Sequence, residues 1–349
     1  PTQPSGRTSD NRWPPDRQAA CYWPNHKGVL DEVGVDGWWP DQGDGLDGPS
    51  RLNRHRMYWE GMQLYRRNER PFALHRNASP GIQRYGGYIW SGDTQGRWET
   101  LATHVPVAIS SGLSGFPLWG SDIGGFYPTA DYTGELHARW FQFASFCPSF
   151  RAHGRHWHLR TPWGWDGSDG GPMETNWRAD PAELNNAAIE PVLRKYLELR
   201  YRLMPYLYSA LREMHDTGLP IMRALWIHHA SDGAAVARGD EFLFGPDVLV
   251  APVVEKGATV RKLYLPRGEW HDFWTEDRAT GGREIERAVD LATTPMYVRA
   301  GSVIPMGPVK QYVDEPSDEP LTLVVYPGAD SRRMVYDDDG HTFDYRRGK

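Results

Sequence analysis

The chain has 349 residues, a length that suits about two domains, and a net charge of -6 with no basic block, which argues against a nucleic-acid partner. Its two cysteines, Cys21 and Cys147, are too distant for a disulfide framework or a zinc site; no His/Asp/Glu set has metal-ligand spacing, so no metal or other cofactor is expected. No apolar run is long enough to cross a membrane.

Residues 1 to about 20 are polar and proline-rich and read as loop or disorder. Gly34 to Asp41 is the first strand, and the turn-rich GDGLDGPSRLNRH after it reads as a loop at the strand's C-terminal mouth. Arg56 to Arg70 has the apolar spacing of a helix with a basic end, stopped by Pro71. Phe72 to Asn77 is the next strand, with Arg76 near its end. A strand from Tyr85, a helix around Trp98 to Ser110 and a strand from Phe116 follow. Glu135 to Phe150 is an aromatic-rich helix that packs Cys147 as a buried thiol, followed by RAHG with His153. The Gly/Trp-rich stretch Pro162 to Trp177 is long enough for a functional lid or rim. Leu184 to Thr217 is the longest helical region, and Pro205 should kink or interrupt it.

Beyond Gly218 short strands with Gly/Pro turns dominate, so an all-β region follows. The main boundary is placed near residue 218 and a weaker one near residue 310. Four or five βα units precede residue 218, whereas a closed barrel needs eight. The expected fold class is therefore α/β, the latter part of a (β/α)8 barrel with β-domains after it. The chain opens with Pro1 rather than Met and reads as lacking its front, so the absence of a signal peptide leaves the compartment open.

One phrase recurs. VGVDGWW leads through Pro40 to Asp41, GGYIW through Ser91 and Gly92 to Asp93, and GFPLW through Gly120 and Ser121 to Asp122. Each is a short apolar run, suited to a strand buried on both faces, that delivers an aromatic and a carboxylate at its C-terminal end. In parallel α/β folds the site forms where strands end. Carboxylates accept from hydroxyls, and flat aromatic walls take the C–H face of a sugar ring. Each Asp taken singly reads equally well as a cap on the helix that follows. The 16 Trp and 17 Tyr fit either large aromatic cores or a stacking platform for carbohydrate.

The ordered series GVDGWWPD, HRN, YIWSGD, GLSGFPLWGSDIGGF and RWFQFASFCPSFRAHG resembles glycoside hydrolase family 31, the retaining α-glucosidase and α-xylosidase family with a (β/α)8 catalytic barrel. FLFGPDVLVAPVV, LYLPRGEWHDFW, VRAGSVIPM and YDDDGHTFDY resemble its C-terminal β-domains, so the likeness runs from about residue 20 to the end. It implies a barrel part over 21–218, a proximal β-domain over 219–308 and the start of a distal one over 309–349.

The resemblance also implies roles. Asp41 falls at the nucleophile and Asp93 at the general acid/base, two carboxyl groups that a retaining enzyme holds about 5–5.5 Å apart. Arg76 would help keep Asp41 ionised and bind a sugar hydroxyl with its fork of donors. Asp122, Phe126 and His153 match the pocket for the non-reducing sugar, and Trp39, Trp90 and Phe126 would be its apolar walls. His153 also fits a core histidine, and the three aromatics also fit barrel core.

The implied activity is hydrolysis of α-glycosidic bonds, an α-glucosidase foremost, by double displacement. An α-xylosidase, α-galactosidase, transglycosylase or lyase on the same site, or an inactive carbohydrate-binding fragment, are the alternatives. The expected partner is a carbohydrate substrate, with no nucleic acid and no membrane. The sequence departs from the family after the nucleophile, where Asp41, Gln42, Gly43 and Asp44 replace an Asp-Met-Asn-Glu-like run. Asp44 stands where the family has its Glu.

Overall fold

The computed structural model describes residue 24 and residues 26–30, 32–154 and 186–348. The loop expected over residues 1–20, Cys21 and the Pro162–Trp177 stretch lie outside the described residues. The chain divides into two units, one of residues 1–92, 114–119 and 338–349, the other of residues 93–113 and 120–337.

The first unit is built on three parallel strands, β1 (Gly37–Trp38), β2 (Phe72–His75) and β3 (Gly87–Trp90), paired Trp38 to Ala73 and Leu74 to Tyr88. Helix α1 (Gly48–Tyr65) makes the crossover that a parallel β1–β2 pair demands. Its buried face carries Asn53, Arg54, Met57, Tyr58, Gly61 and Met62, spaced one helical turn apart, and packs with Leu30 and Ala73. The helix begins well before the expected Arg56. The Asp47 carboxylate accepts from Ser50 N at 2.8 Å and a proline occupies the first turn, so the Gly/Asp/Pro cluster starts a helix rather than making a loop.

The same helix stops at Tyr65 rather than Arg70. Beyond it the Arg70 amide donates to the His341 carbonyl at 2.8 Å, and that of Phe343 to Asn68 at 2.9 Å. The Arg70 guanidinium also pairs with the buried Asp338 carboxylate at 2.7 Å. The first strand is shorter than the expected Gly34–Asp41 because the backbone beyond Trp38 turns to other partners.

The second unit opens with a short parallel ladder between β4 (Gln95–Gly96) and β6 (Tyr127–Pro128). Helix α2 (Trp98–Leu113) precedes β5 (Trp119–Asp122), whose last three residues run parallel to β7 (Ser149–Arg151), pairing Gly120 with Ser149 and Asp122 with Arg151. The strand thus starts at Trp119, not Phe116. The aromatic-rich helix α3 (Gly134–Ala144) is capped by the Thr133 hydroxyl, with Trp140 and Phe143 fully buried. It ends before Cys147, whose amide closes a tight turn onto Ala144 O ahead of Pro148. The Cys147 thiol is nonetheless buried, and that burial pushes its pKa up. The interruption expected at Pro205 separates α4 (Glu190–Arg202) from α5 (Met204–Thr217), where the proline sits in the first turn of α5.

From Met222 the chain is β-rich. Six strands form one antiparallel sheet in the order Arg278–Thr280, Glu269–Asp272, Met296–Arg299, Val248–Val250, Phe242–Phe244, Met222–Arg223. Two hairpin-like pairs join Val260–Leu265 to Arg283–Ala288 and Val303–Met306 to Thr322–Val325. Leu243, Leu249, Leu263, Leu265, Trp270 and Tyr297 form a core shared by the six-stranded sheet and the Val260–Leu265 strand. Within this unit Arg139 of α3 donates to the carbonyls of Asp290 and Thr293, and Gln142 to that of Leu291, fastening the helix to the β-rich part through backbone acceptors.

Candidate active site

In the first unit the chain leaves β1 into Trp39, Pro40 and Asp41. The Asp41 amide donates to Trp39 O at 3.0 Å, closing a tight turn. Gln42 then lies at φ 57° and Gly43 at φ 83°, left-handed backbone that only the glycine enters without a Cβ penalty. This strained run is held from two sides. Arg54 of α1 donates through Nη2 to Asp41 O at 2.5 Å and through Nη1 to Gln42 O at 2.8 Å. Asn77 adds a second donor to Gln42 O at 2.8 Å, and Arg51 donates to Asp44 O at 2.8 Å.

Arg76 emerges from β2 and bridges two carboxylates, Nη1 to Asp41 Oδ1 and Nε to Asp44 Oδ1, both at 3.2 Å. Both carboxylates are partly exposed, so the bridge orients Asp41 more than it stabilises the fold. Trp39 is exposed and Trp90 buried, with ring centroids 5.8 Å apart at 45°. The first unit therefore brings Asp41 to Arg76 and Trp39 to Trp90.

Next to this loop His55 of α1 and His75 of β2 stack at 3.5 Å and 18°, both buried. His55 Nε2 lies 3.0 Å from Asn77 O; a carbonyl only accepts, so that nitrogen carries the proton. Burial pushes His55 down to about 4, with the Arg54 guanidinium adding to the effect. It takes His75 well below the usual histidine value, helped by His55 and Arg54. The stacked pair is neutral near pH 7.

In the second unit Asp93, half-buried, follows the end of β3 by three residues. The carbonyl of its neighbour Thr94 accepts from the amides of Phe126 and Tyr127 at 2.8 and 2.9 Å. Gly125, at φ 75°, makes this approach possible: a Cβ there would stand 2.6 Å from Gly96 N. Phe126 and His153, both half-buried, face each other at 5.6 Å and 34°. Asp122 ends β5 fully buried, its Oδ1 accepting from Arg151 Nη2 at 2.6 Å. The preceding Ser121 hydroxyl accepts from Trp140 Nε1 at 2.9 Å, which pins the strand end to α3.

Arg51, Arg54, Asn77 and Arg151 did not stand out in the sequence. Arg51 and Arg54 sit one turn apart in what read as loop, and only recognition of Asp47 as a helix cap would have placed them on one helical face. Arg151 ends β7, seven residues beyond α3, and its pairing with Asp122 is a register relation between β5 and β7. Among the described residues no group of three or more His, Cys, Asp or Glu could hold a metal ion, and no helix is long and apolar enough to cross a membrane.

Residues 13–210 match the model of the glycosyl hydrolases family 31 TIM-barrel domain, and residues 218–304 that of the glycosyl hydrolase family 31 C-terminal domain. The chain is 32% identical to alpha-glucosidase 2 of Bacillus thermoamyloliquefaciens, over 94% of this chain and 42% of that protein. It is 33% identical to the alpha-xylosidase of Saccharolobus solfataricus, over 94% of this chain and 46% of the relative. Among solved structures it resembles the alpha-xylosidase of Xanthomonas citri with TM-score 0.83 and 33% identity, covering 95% of this chain and 38% of the other. It resembles the Flavobacterium johnsoniae dextranase complexed with glucose with TM-score 0.80 and 33% identity, covering 95% and 43%. The chain thus spans less than half the length of these relatives. Its fold class is that of their TIM barrel followed by a C-terminal domain, and the chain belongs to glycosyl hydrolase family 31.

Proposed function

We propose that this chain carries both catalytic carboxyl groups of a retaining α-glycosidase, an α-glucosidase foremost. The observation that carries the reading is Asp41, presented at the end of β1 on a clamped loop with the Arg76 guanidinium against its carboxylate. Asp41 attacks the anomeric carbon, and the glycosidic oxygen leaves with a proton from Asp93. A water then surrenders a proton to Asp93 and attacks the glycosyl–Asp41 ester, releasing the sugar with its configuration retained. Asp122 accepts from sugar hydroxyls and His153 donates to one. Trp39, Trp90 and Phe126 supply the apolar faces against which the ring packs. The domain limits at residues 218 and 308 belong to the same proposal.

A carbohydrate substrate fits the neighbouring structures, one of which is complexed with glucose and another with a pentasaccharide. An α-xyloside is the second reading, because two α-xylosidases match as well as the α-glucosidase does. Turnover of a panel of aryl α-glycosides by the full-length protein ranks the two. Replacing Asp41 by Asn in that protein should lower turnover on the order of 10⁴-fold. Retention of activity within about tenfold would refute the assignment.

A further inference from the structure

We propose that Arg54 is a positioning residue for Asp41, its guanidinium fork setting the backbone of the loop that presents the carboxylate. This rests on the reading of Asp41 as nucleophile and adds to it a group that never touches the sugar. Gln42 and Gly43, the two residues after Asp41, both lie in left-handed backbone. A non-glycine residue there costs of the order of 1 kcal/mol or more and persists only when its surroundings over-determine it.

The surroundings that do so are on α1 and at the exit of β2. Nη1 and Nη2 of Arg54 are 2.8 and 2.5 Å from two successive carbonyls, those of Gln42 and Asp41. A planar fork with fixed donor spacing can hold two acceptors in one relative orientation; a single ammonium cannot. Arg54 is itself buried on α1, so the packing around it restricts its fork. Gly43 leaves room for it: a Cβ there would lie 2.6 Å from Arg54 Nη1. With the Asp41 carbonyl fixed, the side chain leaves the loop on the side of Arg76, where Oδ1 meets Nη1 at 3.2 Å. Arg54 therefore acts on the reaction through the placement of Asp41.

The experiment uses the full-length protein with an aryl α-glucoside, and counts working sites with a 5-fluoro-α-glucosyl fluoride that traps the glycosyl-enzyme. Arg54→Met and Arg54→Lys should each lower kcat per trapped site by about 10²-fold with KM nearly unchanged, the loss expected when a reacting group is misplaced by about 1 Å. Gly43→Ala keeps the guanidinium but sets a Cβ 2.6 Å from Arg54 Nη1, so fork and loop must part. It should reproduce the same split, and it serves as the test if the Arg54 variants do not fold. A merely structural role would reduce the number of trapped sites and leave kcat per site as in wild type; that result overturns the proposal. Full recovery in Arg54→Lys also overturns it, because charge alone would then suffice. Peptide mapping of the trapped sugar separates the two layers. Label on Asp41 with unchanged turnover per site refutes the positioning role alone, whereas label on another carboxylate refutes the nucleophile assignment and this inference with it.

Discussion

Arg151→Met probes whether the buried carboxylate at the end of β5 depends on its neighbour across the register. Asp122 has no exposed surface, and its Oδ1 accepts from Arg151 Nη2 at 2.6 Å, while about a quarter of the Arg151 side chain remains exposed (23%). Removing one partner of a buried ion pair leaves the other charge in a medium that solvates it poorly, at a cost of about 3–5 kcal/mol. Because water reaches part of the guanidinium, the lower end applies, about 3 kcal/mol. At about 2–4 °C per kcal/mol for a domain of this size class, Tm should fall by about 6–12 °C. Urea titration supplies the free energy, provided the slope of the transition is unchanged. Asp122→Asn placed in the Arg151→Met background removes the buried charge and should restore at least half of the loss, a recovery of roughly 1.5–3 kcal/mol relative to Arg151→Met. A single variant within about 0.5 kcal/mol of wild type, or a double variant no better than Arg151→Met, refutes the reasoning.

Two further outcomes follow from the same geometry. Gly120→Ala puts a Cβ 2.2 Å from Ser149 O and 2.7 Å from Ser149 Cβ, so β5 and β7 must part; the expected loss is about 3 kcal/mol, and an unchanged Tm counts against it. His55 falls from 6.5 to about 4 in the folded state. Between those values the unfolded chain binds the extra proton, so stability decreases as pH drops. At 1.36 kcal/mol per pH unit this amounts to roughly 3 kcal/mol over the window. His55→Gln, which retains a donor toward Asn77 O, should flatten that part of the stability–pH curve; an identical slope would show that other groups carry the acid sensitivity.

The ends of β3 and β5 were legible because a Trp, a small residue or two and an Asp mark where each strand gives way to a turn. Pro205 was legible for a simpler reason, since a missing amide forces a helix to restart. The beginning of α1 was not, because Gly, Asp and Pro are shared between loops and first turns, and only the Asp47–Ser50 hydrogen bond decides between them. The Arg54 clamp was hidden with it: its donors are spent on backbone carbonyls, which carry no residue-type signal. The same holds for the two bonds by which Arg139 reaches the carbonyls of Asp290 and Thr293, about 150 residues away. Asp122 was visible as a strand-end carboxylate, but its tie to Arg151 depends on which residues two strands set side by side. A single chain's pattern does not encode that alignment.

The union of residues 338–348 with the segment after α1 has a consequence for biosynthesis. Asn68 and Arg70 emerge from the ribosome about 270 residues before His341, Thr342 and Asp344, the groups they bond. Until then Arg70 lacks the bonds that Asp338, His341 and Thr342 supply, and a nascent chain cut short before Asp338 never acquires them. Closing so long a loop adds only slowly to its entropic cost, yet it defers maturation of the Asp41-bearing unit until residues 338–344 have been synthesised. Ribosome stalling or premature termination in the β-rich region would therefore damage a part of the molecule synthesised long before the fault.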